Sequence, residues 1–196
     1  MNGVLRLLKS AVTEPPKSPV EIRLASAEDA RAIAEAHVLS WRATYPGIVP
    51  QQYIDSLKVE EFADRWRTRI VAQSEMVIYA ADSTRAICGF ASGGPARAEI
   101  ADFSGGLYAI YLSPGAHSKG IGARLFWTVA EHRHCAGLRS MYVRVLEENP
   151  SRGFYEHMGG GRLSSEEIEI GAKPLTEVLY GWPYIAAAMN RGRSLA

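Results

Sequence analysis

One segment constrains the fold of this chain more than any other: Leu107-Tyr-Ala-Ile-Tyr-Leu-Ser-Pro-Gly-Ala-His-Ser-Lys-Gly-Ile-Gly-Ala-Arg-Leu125. It reads as a β-strand, a turn at Ser113-Pro114-Gly115, a glycine-bearing loop and the first turn of a helix. The first N–H groups of a helix have no intrahelical acceptor, and the helix dipole adds partial positive charge there. Gly120 and Gly122 remove the β-carbons that would keep a phosphate away from those donors. The segment is therefore a site for a phosphorylated ligand. Spacing excludes two common phosphate motifs. In a nucleotide P-loop, Lys and then Ser or Thr follow the second glycine, but Ile121-Gly122 stands there. A dinucleotide fingerprint needs a third glycine three residues after Gly122, and Leu125 occupies that place.

A second constellation lies downstream. Met141-Tyr-Val-Arg-Val-Leu146 alternates and is rich in β-branched and aromatic residues, as a buried strand is. It runs into Glu147-Glu148-Asn149-Pro150-Ser151, where Pro150 stops the strand and Ser151 is placed to cap a short helix. At the front of the chain, Val20-Glu-Ile-Arg-Leu24 reads as a strand, followed by a helix over 27–44. That helix carries Ala30, Ile33, Ala34, Val38 and Trp41 on one face.

The loop His117-Ser-Lys-Gly120-Ile-Gly122 resembles that of the GNAT family of N-acetyltransferases, [Gln/Arg]-x-x-Gly-x-[Gly/Ala], with His117 in place of the usual Gln or Arg. Asn149 and Tyr155 resemble the family's Asn-x-x-Ala-x-x-x-Tyr region, with Arg152 at the small-residue position and Gly160 where an aromatic usually follows. Ser40-Trp-Arg-Ala-Thr-Tyr-Pro-Gly47 is similar to a Ser-Trp-x-x-x-Tyr-x-Gly signature of a bacterial branch. Lys173-Pro174, read as joining two strands, and Tyr180-Gly-Trp182 resemble that branch's C-terminal end. The likeness runs from about Val20 to Tyr184.

The resemblance implies an α/β (α+β) fold with a mixed, mostly antiparallel seven-stranded sheet and helices on both faces. Strands are expected at 20–24, 76–81, 86–93, 106–113, 140–146, 161–170 and 175–184, and helices at 27–44, 50–72, 120–136 and 151–158. The crossover through 120–136 makes 106–113 and 140–146 parallel neighbours. In the family these two strands splay apart and the pantetheine arm of acetyl-CoA lies between them. Residues 20–184 are then one acetyltransferase domain, between a mobile tail over 1–19 and a C-terminal tail over 185–196.

The implied activity is acetyl-CoA-dependent N-acetylation of a small primary amine by direct attack in a ternary complex. The resemblance assigns CoA contacts to Ile110, Tyr111, Leu112, His117, Ser118, Lys119, Gly120, Ile121, Gly122, Asn149 and Tyr155. It makes the Ile110 amide the oxyanion donor, Tyr155 the acid that protonates the thiolate, and Trp41, Tyr45 and Tyr53 the acceptor wall. Many relatives carry a glutamate base where Gly106 stands here, which leaves Glu148, Tyr108 or a relayed water. Tyr108 and Tyr111, three apart, are expected on opposite faces of their strand as core residues. Two other readings stay open: a protein or peptide N-terminal acetyltransferase, and a non-catalytic acyl-CoA sensor.

Composition bounds the alternatives. With 196 residues, 47% of them hydrophobic, the chain suits one domain better than two. Its net charge of +1, with no basic cluster interleaved with aromatics, argues against nucleic acid. Cys88 and Cys135 make no disulfide framework, Arg6 interrupts the only leader-like run, and no apolar stretch reaches membrane length. A cytoplasmic protein is expected, and a homodimer is compatible with it. His132, His134 and Cys135 do not converge on one helix face, so no metal site is expected. Glu99 and Asp102 read as solvated loop.

Overall fold

The central strands owe their order to one helical crossover. In the computed structural model, seven strands are β1 (Glu21–Leu24), β2 (Met76–Ala81), β3 (Ile87–Pro95), β4 (Gly105–Leu112), β5 (Met141–Leu146), β6 (Gly161–Ile170) and β7 (Lys173–Trp182). They form one sheet in the order β1-β2-β3-β4-β5-β7-β6. The structure describes residues 20–72, 76–81, 86–97, 100 and 103–193. The expected N-terminal tail, Glu99 and Asp102 lie outside them. The helices are α1 (Ala30–Thr44), α2 (Gln51–Asp55), α3 (Val59–Ala72), α4 (Ile121–Cys135), α5 (Arg152–His157) and α6 (Ile185–Arg193). A crossover by α4 carries the chain over the sheet, so β4 and β5 run parallel while the other pairs are antiparallel.

Each face of the sheet is closed by helices whose apolar stripe is legible at helical spacing. On one face Leu125, Phe126 and Val129 of α4 meet Leu107, Met141, Val143 and Trp182, and Tyr155 and Met158 join the same cluster. On the other face Ala30, Ile33 and Ala34 of α1 and Trp66 of α3 pack over Phe90, with Ala109 and Tyr111 beside them. Further along, Tyr45, Val49 and Ile54 cover Leu146 and Leu175.

The structure corrects four expectations. The helix expected over 50–72 is two, α2 and α3, because the break turns Ile54 and Leu57 inward and gives the Leu57 carbonyl to Arg42 Nη2 at 3.1 Å. The β6–β7 turn is made by Gly171 and Ala172, not by Lys173-Pro174, which already belong to β7. Both turn residues have positive φ, 58° and 61°, as a two-residue hairpin of this hand requires. Ser151 holds the N-cap position of α5 as expected, but its side chain makes no capping hydrogen bond; its own N–H donates to Asn149 Oδ1 at 2.8 Å. Finally, residues 185–193, expected as tail, form α6. Ile185 is 1% exposed, joins the α4-side core, and donates its N–H to Arg139 O at 2.9 Å.

Ile185→Ala should therefore cost about 2–5 kcal/mol, the range for emptying a well-packed site. Urea unfolding of the two proteins measures it; a loss near zero would return 185–193 to a loosely held tail.

Candidate active site

β4 and β5 are hydrogen-bonded only at Gly105–Met141, Gly106–Tyr142 and Leu107–Val143. Beyond Leu107 the strands part. The cause is local: Ser92 faces Ala109 while Gly93 faces Leu107, so Tyr108 is an extra residue in β4. Such a bulge bends its strand and increases the twist. It also shifts the alternation, so Leu107, Ile110 and Leu112 share one core face. Tyr108 and Tyr111, expected on opposite faces, both reach the same small cavity on the α1 side.

The parting leaves backbone groups free. In an antiparallel ladder, pairs that exchange N–H···O bonds alternate with pairs whose groups point outward. Ser113 N–H donates to Cys88 O at 2.9 Å, two residues along from the Tyr111–Phe90 pair. Tyr111 and Ala109 therefore turn their amides to β3, and Ile110 and Leu112 turn theirs into the gap. The Leu112 carbonyl lies 3.2 Å from His117 Nε2, which fits this direction.

A cleft of about 980 Å³ fills the gap and continues to the start of α4. Gly120, at φ 73°, is the residue before α4, and Ser118 also has positive φ. This left-handed turn aims the chain so that the α4 N-terminus opens onto the cleft. Of the residues expected to meet CoA, all but Lys119 and Ile121 line the cleft. Lys119 Nζ donates to Gly115 O at 2.5 Å, and the Ile121 side chain is buried in the core. Tyr111 lines the cleft too, but with its backbone committed to β3.

The catalytic candidates meet in the gap from both faces of the sheet. Tyr155 comes from α5, on the α4 side; Trp41 and Tyr45 come from the end of α1. Trp41 Nε1 donates to Tyr111 Oη at 3.1 Å, and Asn149 Nδ2 donates to Tyr45 Oη at 3.0 Å. Burial pushes the Tyr45, Tyr111 and Tyr155 phenols up, so all three stay protonated at neutral pH. Tyr53 lies off this cleft and lines the smaller cavity beside Trp41.

Three features escaped the sequence. The first concerns the base. Gly106 is empty of side chain because Tyr108 fills that space: a β-carbon at 106 would lie 2.9 Å from the Tyr108 ring and 3.3 Å from Tyr142. Tyr108 itself donates its hydroxyl to the Pro95 carbonyl, and burial pushes its phenol up, so it is no base. Glu148 is exposed and does not line the cleft. Among the described residues, the carboxylate that does line it is Glu177 on β7, paired with Arg144 at 3.2 Å and pushed up by burial against the pull of that arginine. No signal short of the β5–β7 pairing identifies it.

The second is Arg97, whose guanidinium sits 3.5 Å from the Tyr108 ring centroid. The third is His37, enclosed by Phe62, Trp66, Phe90 and Tyr111. Burial first, and the charge of Arg69 second, hold its imidazole down at about 3.

The chain as a whole is similar to known proteins. The model of the Acetyltransferase (GNAT) family matches residues 35–160. The uncharacterized N-acetyltransferase YuaI of Bacillus subtilis (strain 168) is 40% identical over 168 residues, covering 86% of this chain and 95% of that protein. Among solved structures, the PaiA N-acetyltransferase of Thermoplasma acidophilum in complex with coenzyme A aligns with a TM-score of 0.63 at 24% identity, over 81% of this chain and 98% of that one. A phosphinothricin acetyltransferase of Sinorhizobium meliloti in complex with acetyl-CoA aligns at 0.64 and 25% identity, over 84% and 88%. The chain belongs to the GNAT family and is an N-acetyltransferase. Among the described residues, no helix is long and apolar enough to cross a membrane.

The buried His37 makes stability depend on pH. The folded protein excludes a proton that the unfolded chain takes up below about 6.5, so this contribution is whole above that pH and declines as pH falls toward about 3. Wild type should lose stability on acidification more steeply than His37→Phe, by up to about 1.4 kcal/mol per pH unit. Urea titrations at several pH values measure the slopes; equal slopes would mean that His37 titrates freely in the folded state.

Proposed function

We propose that this N-acetyltransferase moves an acetyl group from acetyl-CoA to a primary amine of a small molecule, by direct attack within a ternary complex. The observation that carries the reading is the β4–β5 gap, which ends at a left-handed glycine turn before a helix and holds two unpaired amides beside a buried tyrosine. The two similar structures that contain coenzyme A and acetyl-CoA support it.

The residues present suit such a co-substrate. The turn from His117 to Gly122 and the α4 N-terminus offer N–H donors to a pyrophosphate. The Leu112 and Ile110 groups offer strand-like pairing to an amide-bearing arm, as an added β-strand would receive. When bound, acetyl-CoA supplies a thioester, an acyl group already activated toward an amine. The Ile110 N–H is fixed by the strand and needs no reorganisation to stabilise an oxyanion. Tyr155, neutral through burial, carries the proton for a departing thiolate. We assign proton removal from the amine to Glu177, acting directly or through a water, because burial raises its basicity within the cleft. Trp41 and Tyr45 wall the acceptor side, exclude water and favour an arriving cation.

Thiol release from acetyl-CoA with a panel of amino acids, polyamines, aminoglycosides and peptides tests the reading. Turnover of small amines but not peptides is expected. Tight CoA binding without release on any amine would instead make the protein a sensor. In an active enzyme, Tyr155→Phe should lower kcat by about two to four orders of magnitude with acetyl-CoA affinity nearly unchanged; near wild-type turnover would leave Tyr155 a packing residue.

Gly120→Glu tests the other end of the cleft. A β-carbon there meets nothing within 4 Å, so only the left-handed φ of 73° resists the change, at about 1–2 kcal/mol. The fold should survive while the added carboxylate repels the pyrophosphate. Calorimetry showing unchanged CoA affinity in the folded variant would place the phosphates elsewhere.

A further inference from the structure

Beside the cofactor cleft, on the α1–α3 face of the sheet, lies a second cavity of about 270 Å³. The two share Trp41, Arg97, Tyr108, Ala109 and Tyr111 as a common wall, so the cavity adjoins the gap on the side opposite α5. Its charge is one-sided. Among the described residues, Arg65, Arg69 and Arg97 line it, and no carboxylate does. Each guanidinium is seated on an aromatic face: Arg65 at 5.4 Å from the Phe62 ring centroid, Arg69 at 5.2 Å from Trp66, Arg97 at 3.5 Å from Tyr108. Stacking of this kind orders the long side chains before a ligand arrives. Of the acidic residues near them on α3, Glu60 pairs with Arg31 and Glu61 with Lys58, and Asp64 does not line the cavity.

Two neutral donors complete the lining. His37 Nδ1 accepts the Trp66 indole N–H at 3.3 Å. Because an indole can only donate, Nδ1 must be bare, and the ring's one proton sits on Nε2. The other is Ser92, whose hydroxyl is buried and has no partner among the described residues. A fully buried hydroxyl left unpaired is costly, which marks it as a group that a ligand satisfies. The cavity thus presents three cations and two neutral donors.

We propose that this cavity binds an anionic group of the acceptor, so that the physiological acceptor is a small amino acid-like amine bearing a carboxylate or comparable acid. The inference deepens the reading above and rests on it. The acid lies among Arg65, Arg69 and Arg97, with His37 Nε2–H and Ser92 Oγ as further donors. The amine then reaches past Tyr111 into the gap, where Glu177 is the carboxylate on the cleft wall. A polyamine has no group for this cavity and meets three positive charges in it.

Thiol release from acetyl-CoA is measured for amino acids, for the same compounds as α-carboxamides, and for spermidine. The acids should be preferred in kcat/KM by about ten- to a hundredfold, the value of a charge-assisted hydrogen bond made only by the acid. The double variant Arg65→Gln, Arg69→Gln should erase that preference by raising KM for the acids, leaving the carboxamides and acetyl-CoA unaffected; Lys at both positions should restore part of it. Carboxamides or spermidine turned over as well as the acids would overturn the inference and leave the acetyltransferase reading standing. So would a double variant that weakens acids and carboxamides equally. If no amine is acetylated, the reading above fails, and calorimetry decides the cavity alone. Propionate and butyrate are titrated into the CoA-loaded protein: binding lost in the double variant supports an anion site, and no binding overturns it.

Discussion

The site depends on one extra residue in one strand. Inserting Tyr108 into β4 limits its pairing with β5 to three residue pairs and bends it away beyond Leu107. Without the bulge, the parallel ladder could continue to the end of β5 at Leu146, and outward-turned β4 amides such as that of Ile110 would bond to β5. The bulge therefore forgoes ladder hydrogen bonds worth about 0.5–1.5 kcal/mol each net. It gains a slot whose walls already carry strand-type donors and acceptors. Those groups tolerate the arrangement because the cleft admits water to them, and a ligand arm with amides of its own can replace that water.

The gap would collapse if its edges were not held. Tyr155 and Met158 pack from the α4 side, and Tyr45 and Val49 from the other. The hydroxyls of Tyr45 and Tyr111 are tied to Asn149 and Trp41, so the β5–α5 loop, β4 and α1 are linked across the opening. The same burial that makes these phenols weak acids makes them good spacers: they fill volume, hold no charge, and keep one polar end at the slot. Structure and chemistry are not separable here. A tyrosine proposed to protonate a thiolate must stay neutral, and burial holds Tyr155 so.

Much of this was legible in the sequence, and the rest was hidden for identifiable reasons. The buried face of α4 follows from spacing alone: Ile121, Leu125, Phe126, Val129 and Ala130 are all core. The glycine loop could be placed because left-handed backbone and a helix start both leave a sequence signal. A bulge leaves none, since Tyr108 is as good a strand residue as its neighbours; this misdirected the expected faces of Tyr108 and Tyr111. The turn at Gly171 and Ala172 was missed because Pro174 is the stronger punctuation mark, although proline is tolerated at the start of a strand. The helix α6 was missed because two buried residues, Ile185 and Ala188, are too few to announce a stripe. Long-range assemblies were beyond reach: His37 against Tyr111, or Glu177 in the cleft, require the sheet order.

The bulge also explains why the proposed base sits where it does. Tyr108 folds its ring over Gly94 and Gly106, so a side chain at 106 would collide with it. The ring in turn supports Arg97, which lines both the cofactor cleft and the cationic cavity. A carboxylate on β4 at this point would lie beside that guanidinium and neutralise the charge proposed to hold the acceptor. Placing the carboxylate on β7, with Arg144 as its partner, separates the two tasks. In the proposed arrangement one side of the gap receives an anion and the other a proton, and a single aromatic residue in β4 shapes both.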